Sequence, residues 1–590
     1  MAGRRVPVTP IDMRKSPMIG ARALRGMVRR LPEYLPRLNM ALRFVARAGG
    51  DPVCFLTRML IVAALICGVC ACGPSGGKRP PNVILISIDT LRPDRMGVYG
   101  HRPRGVSTTP FLDELATRGA VFEFAVSTSS WTLPGHYALF SGLPDELHDM
   151  VDDRVPPPAD IPLMAAVLRG EGYATAGFFS GPYLHPFFGF GRGFDTYESC
   201  LSFDTVYDHD RQELQALAPN EVAEITGRTE RFSHQAITSP EVTRRALRFV
   251  GDLDRHNPFF LFLHYFDVHH DYTPPPPFDT RFGAPYQGWV DGRGVMSDPR
   301  VGPEMASHDL ERLKALYDGE VAWVDENLRR LFRGLERLDP KLLENTLVVV
   351  TSDHGEEFFE HGRIGHRHNL YDGAVRIPLI FVLPGRVPRD RRIAEPARIY
   401  DILPSVLELA GLPAPDLGFG RSLVPAMSGA THGGATGGKV GEDAAALLEL
   451  TTLPRGAGSI GGSKTNDEPR SGGTGLGEQS FTKQFALRVE RFKLITCQRR
   501  KWSPERPLDF TGALLDERHE IYDLENDPQE RRNLFDERPD LFQRLDGVRR
   551  LIFDRMREVY RARHRSPGDT GTPLREVPEK IKKDLEGIGY

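Results

Sequence analysis

Five short runs of apolar, mostly β-branched or aromatic residues recur along the chain, and three of them end on an aspartate. Asn82 to Ile88 leads into Asp89, Phe259 to Phe266 into Asp267, and Leu347 to Ser352 into Asp353; Ala174 to Ser180 and Pro378 to Leu383 are of the same kind. Such runs, without polar alternation, fit strands buried on both faces. Helical patterns separate them, at Thr109 to Arg118, Pro162 to Gly170, Glu241 to Asp254 and Leu310 to Leu338. Strands alternating with helices constrain the chain to an α/β fold, a sheet flanked by helices. Ligands in such sheets bind beyond the carboxyl ends of the strands, so Asp89, Asp267 and Asp353 are expected to meet in one site built from distant sequence. With 590 residues, 40% hydrophobic and 26% charged, the chain can bury a large core and carry a smaller appended domain. Its formal net charge of −3 gives no electrostatic reason to bind nucleic acid.

Ser130-Trp131-Thr132-Leu133-Pro134-Gly135-His136 opens a further helical pattern that reaches Gly142. Pro134 suits a first turn, whose N–H groups have no internal partner, and Gly135 permits close approach to the backbone. Free N–H groups and the helix dipole attract an anion. Thr132 would then present a hydroxyl nucleophile to a bound phosphate or sulfate. Taken alone, the stretch also reads as a threonine N-cap.

Ser352-Asp353-His354-Gly355-Glu356-Glu357 directly follows the fourth run. Asp353 and His354 offer a hard oxygen and an imidazole to one cation, and Asp89 with the Thr132 hydroxyl would complete a four-ligand site. Mixed oxygen and nitrogen donors suit one divalent metal, Mn²⁺, Zn²⁺ or Mg²⁺. The metal would lower the pKa of the Thr132 hydroxyl and hold a substrate oxygen. Taken alone, the Asp-His pair also reads as a hydrogen-bonded turn. Two histidine groups lie nearby in pattern: Asp267-Val268-His269-His270-Asp271-Tyr272, and Arg363-Ile364-Gly365-His366-Arg367-His368. Histidines at a strand edge bind substrate oxygens or protonate a leaving group. His270, Arg363 and Arg367 read instead as exposed loop polarity, and His148 stands between the two readings.

The first 72 residues differ from the rest. Arg4 to Arg30 is basic and nearly free of acids, and Met59 to Ile66 is an apolar run bounded by Arg58 and followed by small residues. That is short for a membrane span and similar to a signal-peptide core. Val69-Cys70-Ala71-Cys72-Gly73 resembles a bacterial lipobox with Cys72 as the lipidated residue, although Cys70 is atypical at its position. A plain cleaved signal peptide and a retained anchor are the alternatives, and a start at Met40 would give a leader of ordinary length. The expectation is an exported protein, periplasmic or at the cell surface, tethered to the membrane at Cys72. Four of the six cysteines lie in this leader; Cys200 and Cys497 remain, and spacing leaves open whether they pair. A linker at 73–81 precedes a catalytic domain at 82–430. A Gly/Ser-rich insertion at 431–480 holds one strand, from Ala444 to Thr452. A small α+β subdomain at 481–565 has short strands at Phe485 to Cys497 and Glu520 to Leu524 and a helix at Pro539 to Arg561. The tail at 566–590 is polar.

Residues 82 to about 430 resemble the sulfatase family of the alkaline phosphatase superfamily, and about 480 to 537 resemble its C-terminal subdomain. The resemblance is carried by Asn82 to Arg92, Leu133 to Gly142, Arg192-Gly193-Phe194-Asp195, Tyr265 to Tyr272, Tyr317-Asp318-Gly319-Glu320, Ser352 to Glu357, Tyr371-Asp372, Arg376-Ile377-Pro378-Leu379, Gly420-Arg421-Ser422-Leu423 and Tyr522 to Pro528. It implies an alkaline-phosphatase-like mixed sheet and one divalent metal, with Ca²⁺ joining the candidates. It implies metal ligation by Asp89, Asp353 and His354, and substrate contacts by His269, His148, His366 and His368. Two departures stand out. The family's Cys or Ser, oxidised to formylglycine, is here Thr132, followed by Gly135 and His136 where the family has Ser and Arg. Thr90 stands where many members have another metal-binding Asp. A threonine cannot become that aldehyde, so no formylglycine is expected; Thr132 looks more like the nucleophile of the superfamily's phosphoglycerol transferases and nucleotide pyrophosphatases, with His136 beside it.

The leading expectation is a metal-dependent hydrolase or transferase acting on a small-molecule, glycan or lipid ester of phosphate or sulfate through a covalent Thr132 ester. The alternatives are an arylsulfatase-type sulfuric ester hydrolase and an inactive sulfatase-like binding protein.

Overall fold

β1 (Asn82–Ile88) is buried along its whole length and lies inside a mixed sheet. The other strands of that sheet are β2 (Ala120–Val126), β3 (Ala174–Phe179), β4 (Thr196–Ser199), β5 (Phe259–Tyr265), β6 (Thr346–Thr351), β9 (Arg376–Val382), β10 (Arg391–Ile393) and β11 (Ala397–Arg398). A two-stranded ribbon, β7 (Glu357–Phe358) with β8 (Ile364–Gly365), stands apart from it. The order is β10-β2-β9-β6-β1-β5-β3-β4, with β11 also pairing with β2. Among the described strands of the sheet, only β9 runs against the others, pairing antiparallel with β2 and β6. The computed structural model describes residues 79–151, 158–201, 237–254, 257–414, 419–429, 445–452, 480–501 and 513–563. The leader with Cys72, most of the Gly/Ser-rich insertion and the polar tail lie outside the described residues.

Alternate residues of β1 serve two apolar cores. Val83 and Leu85 join one core with α1 (Thr132–Ser141) and α4 (Ile402–Ala410). Ile84, Ile86 and Ile88 join the other, with α2 (Ser239–Asp252) and the long α3 (Ser307–Leu338). This is the period-2 rule applied to a strand covered on both sides.

Parallel register then sets the site. β1 pairs with β5 and β6 so that Ser87 lies opposite both His264 and Thr351. The residues just beyond, Asp89 and Ser352-Asp353-His354, therefore emerge side by side at the carboxyl edge.

A second, antiparallel sheet contains β12 (Ala445–Thr452), β13 (Ser480–Val489), β14 (Phe492–Lys501) and β15 (Leu514–Asp523), and α5 (Pro539–Arg563) packs on it. Two sequence expectations change here. The stretch Phe485 to Cys497 is not one short strand but the turn end of the β13–β14 hairpin, with Glu490 at φ +53. The strand at Ala445–Thr452 pairs along its length with β13, in the same sheet as the C-terminal strands. One main-chain and one side-chain bond tie this sheet to the loop before α1: the Glu449 N–H donates to the Thr128 carbonyl at 2.8 Å, and Ser129 Oγ donates to the Glu449 carbonyl at 2.8 Å. Cys200 and Cys497 are both free thiols, so they do not pair.

Candidate active site

Thr132 is the first residue of α1, one place later than an N-cap; Trp131 holds the cap position in extended conformation without a side-chain capping bond. The helix presses against the carboxyl end of β6. A Cβ on Gly135 would lie 2.8 Å from the Asp353 carbonyl oxygen, so this approach requires glycine.

Three donor atoms, from Asp89, Asp353 and His354, lie within 4.8 Å of one another, and all three residues are buried. His354 Nε2 is 3.7 Å from Asp89 Oδ1, 3.4 Å from Asp353 Oδ2 and 3.4 Å from Thr132 Oγ1. The His354 Nδ1–H donates to the Gly355 carbonyl at 2.8 Å, which leaves the Nε2 lone pair facing the cluster. Asp89 Oδ1 and Asp353 Oδ2 accept no hydrogen bond although both are buried. Burial, and next the Asp353 carboxylate, push the Asp89 carboxyl well above its ordinary value. Two buried carboxylate oxygens converging without compensation are costly, and a bound cation removes that cost. The Asp89, Asp353 and His354 donors therefore fit a divalent metal, and Thr132 Oγ1 stands beside them, 3.4 Å from His354 Nε2.

Two further histidines hold these groups in place. His264 Nδ1 accepts from the Gly181 N–H at 3.3 Å, so its Nε2–H donates to Asp89 Oδ2 at 3.1 Å. His136 Nδ1–H donates to the Thr132 carbonyl at 3.0 Å and lies 3.4 Å from Asp353 Oδ2, while its Nε2 accepts from Ser87 Oγ at 3.0 Å. His136 thus contacts the backbone of Thr132 rather than its hydroxyl. Burial depresses His136 to about 3 and His264 to about 4, so both are neutral near pH 7. Sequence reading missed His264; its only signal was a polar ring at the end of an otherwise apolar run.

His269, His270 and His366 are buried and form a second cluster. The ring centroids of His354 and His366 are 4.5 Å apart, so the two clusters adjoin. His270 is 3% exposed, which overturns its reading as exposed loop polarity. Arg367 is half-buried over the Trp131 ring, 4.0 Å from its centroid, and donates to Tyr183 Oη at 3.1 Å.

Two expected residues, Asp267 and His148, lie elsewhere, while His368 stays within electrostatic reach of His366 and Glu356. Asp267 does not join the site: it accepts from the Thr238 and Ser239 N–H groups at 2.7 and 3.0 Å, anchoring the start of α2, and from Trp323 Nε1 at 3.1 Å. His148 is buried in the turn after α1, where its Nδ1 accepts from the Met150 N–H at 3.1 Å and its Nε2 is 3.3 Å from Asp145; it touches neither cluster. His368 is half-buried, and its carbonyl accepts from Gln484 Nε2 of the second sheet at 2.9 Å.

A family model described as Sulfatase matches residues 81–412. The chain belongs to the sulfatase family. This sulfatase is similar to the uncharacterized sulfatase YidJ of Escherichia coli strain K12, 24% identical over 373 residues that cover 59% of this chain and 71% of the relative. A solved protein in complex with its substrate D-glucosamine-2-N,6-O-disulfate superposes with a TM-score of 0.57 at 19% identity, over 82% of this chain and 99% of that one. The phosphonate monoester hydrolase of Agrobacterium radiobacter superposes with a TM-score of 0.56 at 22% identity, over 84% of this chain and all (100%) of the other. The fold is therefore alkaline-phosphatase-like, and the sulfatase is an ester hydrolase of that superfamily.

Proposed function

We propose that this sulfatase cleaves or transfers esters of phosphate or phosphonate in preference to sulfate, through a covalent ester on an unmodified Thr132. The observation that carries the reading is Thr132 Oγ1 at the N-terminal end of a ten-residue helix, 3.4 Å from His354 Nε2. A divalent cation held by Asp89, Thr132, Asp353 and His354 would supply Lewis-acid stabilisation and a lowered pKa at the threonine hydroxyl. The positive end of the helix dipole favours the anion that Thr132 attacks. The Thr132 Oγ–phosphorus bond forms as the bond to the departing alcohol breaks; water or an acceptor alcohol then attacks phosphorus and frees Thr132. His264 keeps Asp89 fixed, and the His354 backbone N–H, donating to Asp353 Oδ1 at 2.9 Å, keeps Asp353 fixed.

Thr132 would occupy the place of formylglycine. A formylglycine hydrate releases sulfate by collapsing to the aldehyde, and threonine has no such exit. The threonine ester must be cleaved by attack at phosphorus or sulfur. The phosphonate monoester hydrolase neighbour supports the phosphorus reading, and the disulfated glucosamine bound to another supports sulfate esters as the alternative. The substrate is a small molecule, glycan or lipid ester, and we assign the protein to the exported face of the membrane, tethered at Cys72.

Quenching a turnover with a labelled phosphodiester and mapping the modified peptide tests the mechanism. Label on Thr132, lost in Thr132→Ala and retained in Thr132→Ser, is expected. Full activity in Thr132→Ala, or faster turnover of aryl sulfate than of any phosphorus ester, overturns it.

A further inference from the structure

Against the N-terminal turns of α3 lies a cavity of about 670 Å³, walled in part by Pro103, Phe282, Pro285, Tyr286 and Ala315. None of Asp89, Thr132, Asp353 and His354 lines it. Its size falls in the range of small-molecule sites, about 300–1,000 Å³. Hydrogen bonds hold the walls in shape. Tyr286 Oη donates to Asp309 Oδ1 at 2.5 Å, Trp289 Nε1 donates to Asp309 Oδ2 at 2.9 Å, and Arg104 donates to the Gly283 carbonyl.

Most charges that line the cavity are matched. Asp318 Oδ2 is 3.0 Å from His101 Nε2, and Asp318 Oδ1 is 3.6 Å from an Arg95 nitrogen. Glu311 pairs with Lys314 at 3.2 Å. Arg312 differs. It is half-buried, and it spends one N–H on the Asp279 carbonyl at 2.8 Å. Its buried Nε–H has no hydrogen-bond acceptor among the described residues, and the buried Nε–H of Arg95 has none either. The Arg312 guanidinium carbon is 5.6 Å from the centroid of the Tyr286 ring. A buried donor on a cation that makes no hydrogen bond is costly, and an anion removes that cost.

We propose that this cavity binds a small organic acid, a monoanion with a ring or short apolar body, whose carboxylate accepts from the Arg312 Nε–H. A charge-assisted hydrogen bond orients the acid, and the aromatic and proline surfaces supply affinity. A bare inorganic anion would leave those walls uncovered. A cation would meet carboxylates that are already paired. Tyr317, next to Asp318, donates to the Thr90 carbonyl at 2.7 Å, so the helix that walls the cavity also braces the loop after Asp89. The inference does not rest on the Thr132 reading.

The probe is benzoate, with benzamide as its uncharged counterpart, each titrated calorimetrically into the full chain. Benzoate should bind, and benzamide should bind about tenfold more weakly or worse, the effect of losing a charged hydrogen bond. Arg312→Met should weaken benzoate by a similar factor and Arg312→Lys should recover part of it, at unchanged melting temperature. Thr132→Ala should bind benzoate as the unaltered protein does. Photolabelling of the unaltered chain with benzoylbenzoate needs no variant and should mark peptides carrying Phe282 to Gly288 or His308 to Asp318. Equal binding of benzoate and benzamide overturns the inference, as does benzoate affinity that Arg312→Met leaves unchanged. No benzoate binding up to about 10 mM overturns it as well. So does label confined to peptides with Thr132 or His354, or benzoate binding lost in Thr132→Ala; the acid would then sit at the ester site, and the Thr132 mechanism would stand.

Discussion

His264 reaches sideways from β5 to donate its Nε2–H to Asp89 Oδ2, 3.1 Å away at the end of the neighbouring strand β1. Both groups are fully buried, and the bond leaves Asp89 Oδ1 turned toward Asp353 and His354. Replacing the ring frees the carboxylate to rotate. His264→Phe should weaken metal binding roughly 10- to 100-fold, the usual effect of removing a group that orients a ligand. Metal titration followed by calorimetry checks this, and affinity equal to the unaltered protein would show that Asp89 needs no such support.

Gly135 lies where α1 touches β6. A methyl at this position would stand 2.8 Å from the Asp353 carbonyl oxygen and 3.2 Å from Ser127 Oγ. Gly135→Ala should force helix and strand apart, costing about 1–3 kcal/mol, and should reduce turnover more than it reduces the melting temperature, because Thr132 moves with the helix. Thermal melting alongside kcat separates the two effects.

Arg367 holds its guanidinium over Trp131, next to Thr132 in sequence, and its backbone N–H donates to the Ser130 carbonyl at 2.9 Å. It is a half-buried cation beside the proposed nucleophile. Arg367→Ala should raise KM about tenfold for anionic esters, the effect of losing one charged hydrogen bond, with a smaller change in kcat. Steady-state kinetics decide; a KM that does not move removes Arg367 from substrate recognition.

Lys493 of β14 is 1% exposed and bridges Asp372 at 2.7 Å and Glu530 at 2.8 Å. Lys493→Met would leave the half-buried Asp372, still 3.4 Å from Arg488, facing the buried Glu530 without its shared cation, a loss of about 3 kcal/mol. Burial works against ionisation of Asp372, but the Lys493 charge overcomes it and holds the carboxyl below its ordinary 3.8. A depressed carboxylate stabilises the fold above its unfolded value, and that contribution disappears as pH falls through the lower folded value. Acid denaturation should therefore be steeper in the unaltered protein than in Lys493→Met, as pH-dependent chemical unfolding would reveal.

Cys72, followed by Gly73, comes shortly after the apolar run from Met59 to Ile66. Expression in a bacterial host that lipidates exported proteins should yield a mature chain beginning at a lipidated Cys72. Mass spectrometry of the N-terminal peptide checks this, and an unmodified N-terminus beyond Cys72 rules out the tether while leaving export intact. One acyl chain holds a protein only weakly at a membrane, so stable tethering requires more than one.

The strands that carry Asp89 and Asp353 were legible in the sequence because burial on both faces demands uninterrupted apolar residues, and few other structures tolerate such runs. The Asp353-His354 pair and Thr132 were legible for a similar reason: each stands at a strand end or helix start, where local chemistry exposes it. Asp267 shows the limit of that reasoning. It follows an equally apolar strand, yet it anchors α2 and touches Trp323, because what a carboxylate does depends on which element packs across from it. His270 looked like loop polarity and Glu356 drew no reading of its own, and only the folded chain buries them against His366. His264 was hidden among aromatic neighbours, since its partner Asp89 is 175 residues away and meets it through parallel pairing of β1 with β5. The sequence by itself determined the layers, the strand ends and the residue types available for chemistry. The tertiary structure alone decided which side chains share a face, which ring nitrogen carries the proton, and that the histidines form a cluster of their own, because those outcomes depend on register and packing between segments that the chain order keeps apart.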